Sequence, residues 1–209
     1  MEPAGAAAVI GPVLGYLDYA GIAVFALSGA VVAAAKRQTL VTFVFFAVIT
    51  GVGGGTVRDL LIGAPVFWLE DNILLFICLA AALAVWLLPQ RIWKGDTLLW
   101  LDAVGLAAYA TFGAAKGLAY GVAPLPAIAM GVLTACTGGI IRDVLTGEPS
   151  ILMRPELYVT AAALSAATMV GLLLLGTPDY AAGAVAALLG FGLRAGAILK
   201  AWALPGYRR

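Results

Sequence analysis

The chain has 209 residues, of which 63% are hydrophobic and only 11% are charged, and its mean hydropathy is +1.04. Soluble domains average about 25% charged residues, so this composition excludes an ordinary soluble fold and predicts an all-α membrane protein. The net charge of +1 excludes a broad basic surface for nucleic acid. Histidine is absent, which excludes His-dependent catalysis and His-ligated metal sites, so we expect neither an enzyme nor a cofactor.

Apolar stretches of about 20 residues, the length that crosses a bilayer, follow one another along the whole chain. The first stretch has no positively charged segment before it, so we expect a retained helix there rather than a cleaved signal peptide. The connectors between stretches carry helix breakers and polar groups. The predicted spans are residues 14–35, 39–62, 71–89, 98–117, 124–146, 155–175 and 180–198, followed by a tail at 199–209.

The distribution of basic residues predicts how these seven spans are oriented. Lysine and arginine are retained on the cytoplasmic side of a membrane. With the N-terminus outside, only Arg58 and Lys116 fall on the outer side. We therefore expect a multi-pass protein of the cell membrane, in contact with membrane lipids, with an outer N-terminus and a cytoplasmic C-terminus. The inner basic residues would be Lys36, Arg37, Arg91, Lys94, Arg142, Arg154, Arg194, Lys200, Arg208 and Arg209.

An internal repeat aligns the first half of the chain with the second at one constant offset, which takes Asp18 to Asp102; we call it the repeat offset. Matched charged residues, glycine pairs and prolines in one register are hard to obtain by chance in an apolar chain. The matches include Gly21 with Gly105, Gly54-Gly55 with Gly138-Gly139, Arg58-Asp59 with Arg142-Asp143, Gly63 with Gly147 and Pro65 with Pro149.

Each copy of the repeat holds three predicted spans, so the second copy should lie upside down relative to the first. The predicted organisation is a three-helix repeat at 14–89, an inverted repeat at 98–175, and a seventh helix at 180–198. Inverted repeats whose helices are interrupted by glycine at matching positions are typical of transport pathways at the repeat interface. The alternative is that duplication only builds a helical bundle.

Glycine clusters mark one helix in each repeat. Adjacent glycines weaken a helix, and backbone groups freed inside a membrane are tolerated where they line a hydrated cavity. We therefore predict two kinked helices that line a pathway; the alternative is close helix packing, which also uses small residues. The candidate pathway residues are Gly53, Gly54, Gly55, Gly138 and Gly139, with the oxygens of Thr50, Thr56, Thr134 and Thr137 as ligands that replace the hydration shell of an ion.

Charged residues follow the glycines by about one helical turn, still within apolar sequence. Intramembrane charges are costly, so they usually face the bundle interior and pair. Neighbours on a helix point about 100° apart, so Arg58 and Asp59 are expected to need other partners. Matching depths suggest Asp18 as the partner of Arg58. The same relation predicts that Asp102 pairs with Arg142 beside Asp143, either to pin the helices together or to gate the pathway.

Lys116 takes the place that Val32 has in the first repeat, so it breaks the symmetry of the two copies. It is a candidate for influencing conduction. The alternative is that its ammonium group extends to the membrane surface.

The paired segments GGGTVRD and GGIIRD, in a three-plus-three arrangement with a seventh helix, resemble the trimeric intracellular cation channel family in its prokaryotic form. The resemblance implies a homotrimer in which each protomer has a potassium-permeable pore, lined by the two helices that hold Gly53–Gly55 and Gly138–Gly139. Thr137 stands where a third glycine would map, so the second kink is expected to be milder.

The same pattern also describes bacterial membrane proteins with a glycine-transporter domain. A carrier needs a pocket that recognises both an ammonium and a carboxylate group, and helix ends together with Arg58 would suit a zwitterion. A channel needs a continuous hydrated route with weak sites. The sequence leaves both functions open. GVGGGTVRD is not a nucleotide loop, because it lacks the terminal GK[ST] and follows an apolar helix.

Overall fold

The computed structural model of the chain describes residues 12–93 and 95–207, and it consists of helices joined by short connectors. Two 3₁₀ turns lie at Gln90–Trp93 and Ile151–Met153. Three basic residues that the orientation argument uses, Lys94, Arg208 and Arg209, lie outside the described residues. The helices are α1 (Pro12–Ala35), α2 (Leu40–Ile62), α3 (Phe67–Glu70), α4 (Asn72–Leu87), α5 (Thr97–Ala119), α6 (Pro124–Leu145), α7 (Val159–Leu174) and α8 (Asp179–Lys200).

The helices agree with an all-α membrane protein. Five of them, α1, α2, α5, α6 and α8, are long and apolar enough to cross a membrane. The helices α4 and α7 are also apolar but have only 16 residues each. The count of seven membrane spans therefore stays a prediction.

Two stretches differ from the predicted spans. The short helix α3 was not predicted; it begins where the backbone N–H of Phe67 donates to the Asp59 carboxylate, at 3.1 Å. The helix α7 begins at Val159 rather than near residue 155. The residues before it pair with the C-terminal segment instead: Leu204 N–H donates to the carbonyl oxygen of Pro155 at 2.7 Å, and Glu156 forms a β-bridge with Ala203.

Two glycines at matching positions end the helices α2 and α6. Gly63 and Gly147 both adopt a left-handed backbone with φ of 68°, a conformation that costs little only for a residue without a Cβ. Gly63 N–H donates to the carbonyl of Asp59 at the end of α2. The chain therefore turns sharply after each Arg-Asp pair, at equivalent points of the two repeats.

The helix α5 lies at the centre of the molecule, where it packs against α1, α6, α7 and α8. Its contact with α1 is reciprocal across the repeat. A side chain at Gly21 would meet the Tyr109 ring, and one at Gly105 would meet the Phe25 ring. The two rings lie 5.2 Å apart between centroids. Glycine on each helix thus admits an aromatic side chain from the other, at positions that the repeat offset relates.

Candidate ion pathway and its charged clusters

The glycines of α2 and α6 form a tight crossing of these two helices. A Cβ at Gly54 would overlap the carbonyl oxygen of Thr134, and a Cβ at Gly138 would overlap the carbonyl oxygen of Thr50. The two contacts are related by the repeat offset. Both glycines are buried, and the atom that each meets belongs to the opposite backbone. Glycine is therefore required here because the two helices approach backbone to backbone.

The glycines do not interrupt either helix. The structure is α-helical without a break from Leu40 to Ile62 and from Pro124 to Leu145. The glycines therefore do not unwind the helices in this conformation. They pack the two helices closely at the crossing, and the lining of a pathway by these helices stays a prediction. Packing against a carbonyl oxygen compensates for the lower helix propensity of glycine, which is why the helices continue.

Most of the candidate threonines bond to their own helix. Thr56, Thr134 and Thr137 donate to the carbonyl oxygens four residues earlier, over 2.8, 2.6 and 2.6 Å. Thr56 also accepts from the indole N–H of Trp68, at 2.9 Å. The hydroxyl of Thr50, which is fully buried, has no hydrogen-bond partner among the described residues. Thr50 is thus the threonine at the crossing whose hydroxyl makes no hydrogen bond to the described residues.

One charged cluster lies beside the start of α1 and the end of α2; we call Asp18, Arg58, Asp59 and Lys116 the Asp18 cluster. Asp59 is fully buried and accepts from Arg58 Nε at 2.8 Å, while Lys116 Nζ lies 2.9 Å from the same carboxylate oxygen. The guanidinium carbon of Arg58 lies 5.1 Å from the centroid of the Phe112 ring, within the range of a cation–π contact.

The Asp18 cluster leaves several polar atoms unpaired. Both Nη groups of Arg58 and Oδ1 of Asp18 are buried without a hydrogen-bond partner in the described part of the chain. The predicted ion pair between Asp18 and Arg58 is therefore wrong. Arg58 instead pairs with Asp59, the neighbour expected to be poorly placed. The guanidinium reaches several ångströms beyond its Cβ, so an angle of about 100° between adjacent Cβ atoms does not prevent contact.

The second charged cluster, at the start of α5 and the end of α6, consists of Asp102, Arg142 and Asp143; we call it the Asp102 cluster. Arg142 Nη1 donates to Asp102 at 2.9 Å, which confirms the predicted pair. Arg142 also bonds Asp143 through Nε at 2.9 Å and Nη2 at 2.8 Å. The second oxygen of Asp143 accepts from Ile151 N–H at 3.2 Å. The Asp143 carboxylate thus holds the backbone of the connector after α6, as the Asp59 carboxylate holds the backbone at the start of α3.

Comparisons with known proteins place this arrangement in a family. The sequence model of the glycine transporter family matches residues 15–90 and 99–173, the two predicted repeats. The inner membrane protein YadS of Escherichia coli K12 is 41% identical over 150 residues, which cover 70% of this chain and 72% of YadS. A membrane protein of Vibrio cholerae is 40% identical over 69% of this chain, but the match spans only 62% of that protein's length.

Solved structures give the same placement. The trimeric intracellular cation (TRIC) channel orthologue from Rhodobacter sphaeroides has a TM-score of 0.85 and 41% identity, over 92% of this chain and 100% of that chain. The chain belongs to the TRIC family. A second TRIC cation channel is 32% identical with a TM-score of 0.81, over 93% of this chain and 97% of its own. A prokaryotic TRIC channel crystallised in 0.5 M KCl is 29% identical with a TM-score of 0.84, over 92% and 99% of the two chains.

The TRIC fold of this chain also holds a cavity next to the Asp102 cluster. Its volume is about 220 Å³. Its walls combine the three charged residues of the cluster with apolar side chains of α1 and α5. The residues that line it are Val32, Ala35, Lys36, Leu98, Leu99, Asp102, Arg142, Asp143, Thr146, Glu148, Pro149, Ile151 and Arg154.

Sequence reasoning missed two features of this end of the molecule. Arg194 is fully buried and pairs with Glu156 at 2.7 Å, with its guanidinium carbon 5.4 Å from the centroid of the Tyr158 ring. Ser28 accepts from Arg142 at 3.0 Å. An isolated arginine within the apolar stretch of α8 signals a buried partner, but that partner lies 38 residues away in a connector. No sequence pattern relates the two.

Proposed function

We propose that this protein is a monovalent cation channel that conducts potassium, with one ion pathway in each protomer of a homotrimer. The proposal is carried by the similarity over nearly the whole chain to the Rhodobacter sphaeroides trimeric intracellular cation channel orthologue, at 41% identity and a TM-score of 0.85. Two buried charged clusters at opposite ends of the α2 and α6 pair are consistent with it, because intramembrane charges usually mark an ion route.

The route runs along α2 and α6 and is closed where they cross. In this conformation a methyl group does not fit between Gly54 and the Thr134 carbonyl, so an ion does not fit there either. Conduction therefore requires the two helices to separate at the crossing. Separation would expose the Thr50 and Thr134 carbonyl oxygens together with the unpaired Thr50 hydroxyl, which are the kinds of ligand that replace the hydration shell of potassium.

The two halves of the route are proposed to be inverted copies. This is supported by contacts that recur at the repeat offset, such as those of Gly54 and Gly138. In the proposed orientation the Asp102 cluster faces the cytoplasm. Single cysteines, introduced after Cys78 and Cys136 are replaced, test the orientation. A cysteine at Gln38 should react with an impermeant reagent from inside, and one at Asp179 from outside. The reverse pattern would overturn the orientation.

Unitary currents from purified protein in planar bilayers test the proposed function. Stepwise currents carried by potassium, and absent when potassium is replaced by the large cation N-methyl-D-glucamine, are the expected result. Protein that assembles as a trimer but gives no current under any voltage or ionic condition would overturn the channel function.

A glycine carrier is the second candidate function, because the family model that matches both repeats is described as a glycine transporter. A carrier would give saturable uptake of glycine into vesicles without unitary current. The glycine molecule needs partners for both its charges. Asp18 and Arg58 have the right chemistry, since both keep unpaired polar atoms. Glycine uptake that is lost in Asp18→Asn, together with silent bilayers, would favour the carrier over the channel.

A further inference from the structure

The chain folds back on itself after α8. Ala201 follows the helix and adopts a left-handed backbone with φ of 49°, a conformation that is less favourable for a residue with a Cβ than for glycine. This turn redirects residues 201–204, which we call the strap. A Cβ at Gly196 would meet the ring of Trp202. The strap therefore packs against the helix that it follows.

The strap also pairs with the segment between α6 and α7; we call residues 151–158 the connector. Leu204 N–H donates to the carbonyl oxygen of Pro155 at 2.7 Å, and Ala203 forms an antiparallel β-bridge with Glu156. The two segments are far apart in the sequence. Backbone pairing between them holds the connector against the end of α8.

A buried arginine ties the connector to α8 a second time. Arg194 is fully buried, and its Nη2 donates to the Glu156 carboxylate at 2.7 Å. Arg154 lies 3.9 Å from the same carboxylate. The Nε and Nη1 groups of Arg194 find no acceptor in the described part of the chain. Moving Glu156 away would leave a buried guanidinium uncompensated, so this ion pair opposes any movement of the connector away from α8.

Tyr158 extends from the connector into the Asp102 cluster. The guanidinium carbon of Arg194 lies 5.4 Å from the centroid of the Tyr158 ring, within the range of a cation–π contact. A Cβ at Gly139 would meet the Tyr158 hydroxyl. Side-chain atoms of Asp102 and Arg142 lie within 3.6 Å of the same point. The hydroxyl is therefore next to the ion pair of this cluster, where glycine leaves room for it on α6.

This link exists at one end of the molecule. The repeat offset relates Gly139 to Gly55, where a Cβ would meet the Phe67 ring instead of a hydroxyl. The helix α8 and the strap follow the second repeat, so the first repeat has no copy of them. The continuous set of contacts from the strap through Glu156 and Arg194 to Tyr158 therefore reaches the Asp102 cluster alone.

The connector holds the end of α6 at two points. Ile151 is buried, and its N–H donates to Asp143 at 3.2 Å. The Tyr158 hydroxyl lies against Gly139, one turn before that residue. Conduction, as proposed above, requires α6 to separate from α2 at the crossing. A helix whose end is tied to a fixed connector separates less readily than a free one.

We propose that the strap is an inhibitory device, which in its docked position fixes the connector and Tyr158 against α6 and so keeps the crossing closed. Release of the strap lets the connector move with α6 and raises conduction. The effect on conduction rests on the proposed channel function. Docking of the strap does not, and it is measurable without any transported ion.

A proline in the strap tests docking. Leu204→Pro removes the N–H that donates to Pro155, and Ala203 is already extended in the β-bridge, as a residue before proline prefers. Leu204→Ala keeps the N–H and is the control. Hydrogen exchange of the connector, followed by mass spectrometry of protein in nanodiscs, should accelerate about fivefold in Leu204→Pro, the ratio expected for the loss of one hydrogen bond. Leu204→Ala should exchange as the wild type does.

A second pair of variants undocks the strap from the α8 side. Gly196→Ala adds a methyl group that would overlap the Trp202 ring, whereas a Cβ at Gly192 in the same helix would meet nothing within 4 Å. Gly196→Ala should therefore accelerate exchange of the connector, and Gly192→Ala should not. Wild-type exchange in both Leu204→Pro and Gly196→Ala would overturn the docked strap.

Potassium flux per assembled trimer in vesicles tests the inhibition. Leu204→Pro should raise this flux, and Leu204→Ala should leave it unchanged. Tyr158→Phe keeps the aromatic ring but removes the hydroxyl, so it should raise flux by itself and abolish the further effect of Leu204→Pro. A purely structural role of Tyr158 would give independent effects instead. Independent effects of the two changes would overturn the link through Tyr158.

The same measurements separate the strap from the channel function. Wild-type protein that conducts, with faster exchange but unchanged or lower flux in Leu204→Pro, would reject the inhibition and keep the channel. A weakly conducting wild type whose flux rises on undocking would support both. Assembled trimers that stay silent with the strap docked and undocked would reject the channel and, with it, the inhibitory role.

Discussion

The substitution Gly54→Ala is the most direct test of the crossing between α2 and α6. The added methyl group would overlap the Thr134 carbonyl oxygen, which belongs to the backbone of α6 and has no rotamer to relieve the overlap. Overpacking of a buried site typically costs about 1–3 kcal/mol, and a backbone obstacle places this site near the upper end. Alanine regains about 1 kcal/mol of helix propensity. The expected net loss is about 2 kcal/mol of unfolding free energy.

A glycine in an open position provides the control. Gly171 lies in α7, and a Cβ there would meet nothing within 4 Å. Gly171→Ala should therefore be neutral or stabilise by up to about 1 kcal/mol. The free energy of unfolding of each variant would be measured in mixed micelles under conditions where refolding is reversible. Gly138→Ala should behave as Gly54→Ala does, because it meets the Thr50 carbonyl oxygen.

The same variants report on the pathway. A methyl group that opposes closure of the crossing should raise potassium flux per assembled trimer in reconstituted vesicles, even as it lowers the yield of folded protein. If Gly54→Ala were as stable as Gly171→Ala, the inference that the helices meet backbone to backbone at Gly54 would be refuted. Flux that falls only in proportion to the folded protein lost would show that the crossing packs the fold without controlling the route.

Three further outcomes are expected. Asp102→Asn should cost about 3–5 kcal/mol of unfolding free energy, as breaking a buried ion pair does. Asp18→Asn should cost less, because the described residues include no ion pair to Asp18. Chemical denaturation of both variants measures the two losses, and equal losses would contradict this expectation. The hydrogen bond from Lys36 lowers the pKa of the exposed Glu148 carboxyl, so Lys36→Met should raise that pKa toward its ordinary value in a carbon-detected NMR titration. Because the folded-state pKa is the lower one, any stability from this contact is present above the ordinary glutamate pKa and disappears as the pH falls through the folded value; stability that increases on acidification over this range would contradict the assignment.

The sequence was sufficient for those parts of the fold that repeat. Long apolar stretches predict the helices α1, α2, α5, α6 and α8 within a few residues of their observed ends. The repeat offset correctly relates the Arg-Asp pairs that follow the glycines of α2 and α6. The left-handed turns at Gly63 and Gly147 occur in both copies. Such features depend on residues that are close together in the sequence, so they can be predicted from composition and spacing.

Contacts between distant segments were harder to predict. The glycines were expected to unwind their helices, because propensity alone counts glycine as a helix breaker. Helix propensity takes no account of the contact between Gly54 and the carbonyl oxygen of Thr134, a residue far along the chain. The start of α7 was misplaced for the same reason. Pairing of Pro155 with Leu204 keeps the connector extended, and this information lies at the other end of the sequence.

The pairing of Arg58 shows how one substitution changes a duplicated site. Its repeat partner Arg142 bridges two carboxylates, Asp102 and Asp143, whereas Arg58 bonds Asp59 alone within the described residues. Lys116 also binds Asp59, so two cations share one carboxylate, and their mutual repulsion opposes a compact arrangement around it. In the other half, two carboxylates surround the one guanidinium of Arg142. The exchange of valine for lysine between the equivalent positions 32 and 116 therefore accompanies two charged clusters that pair differently.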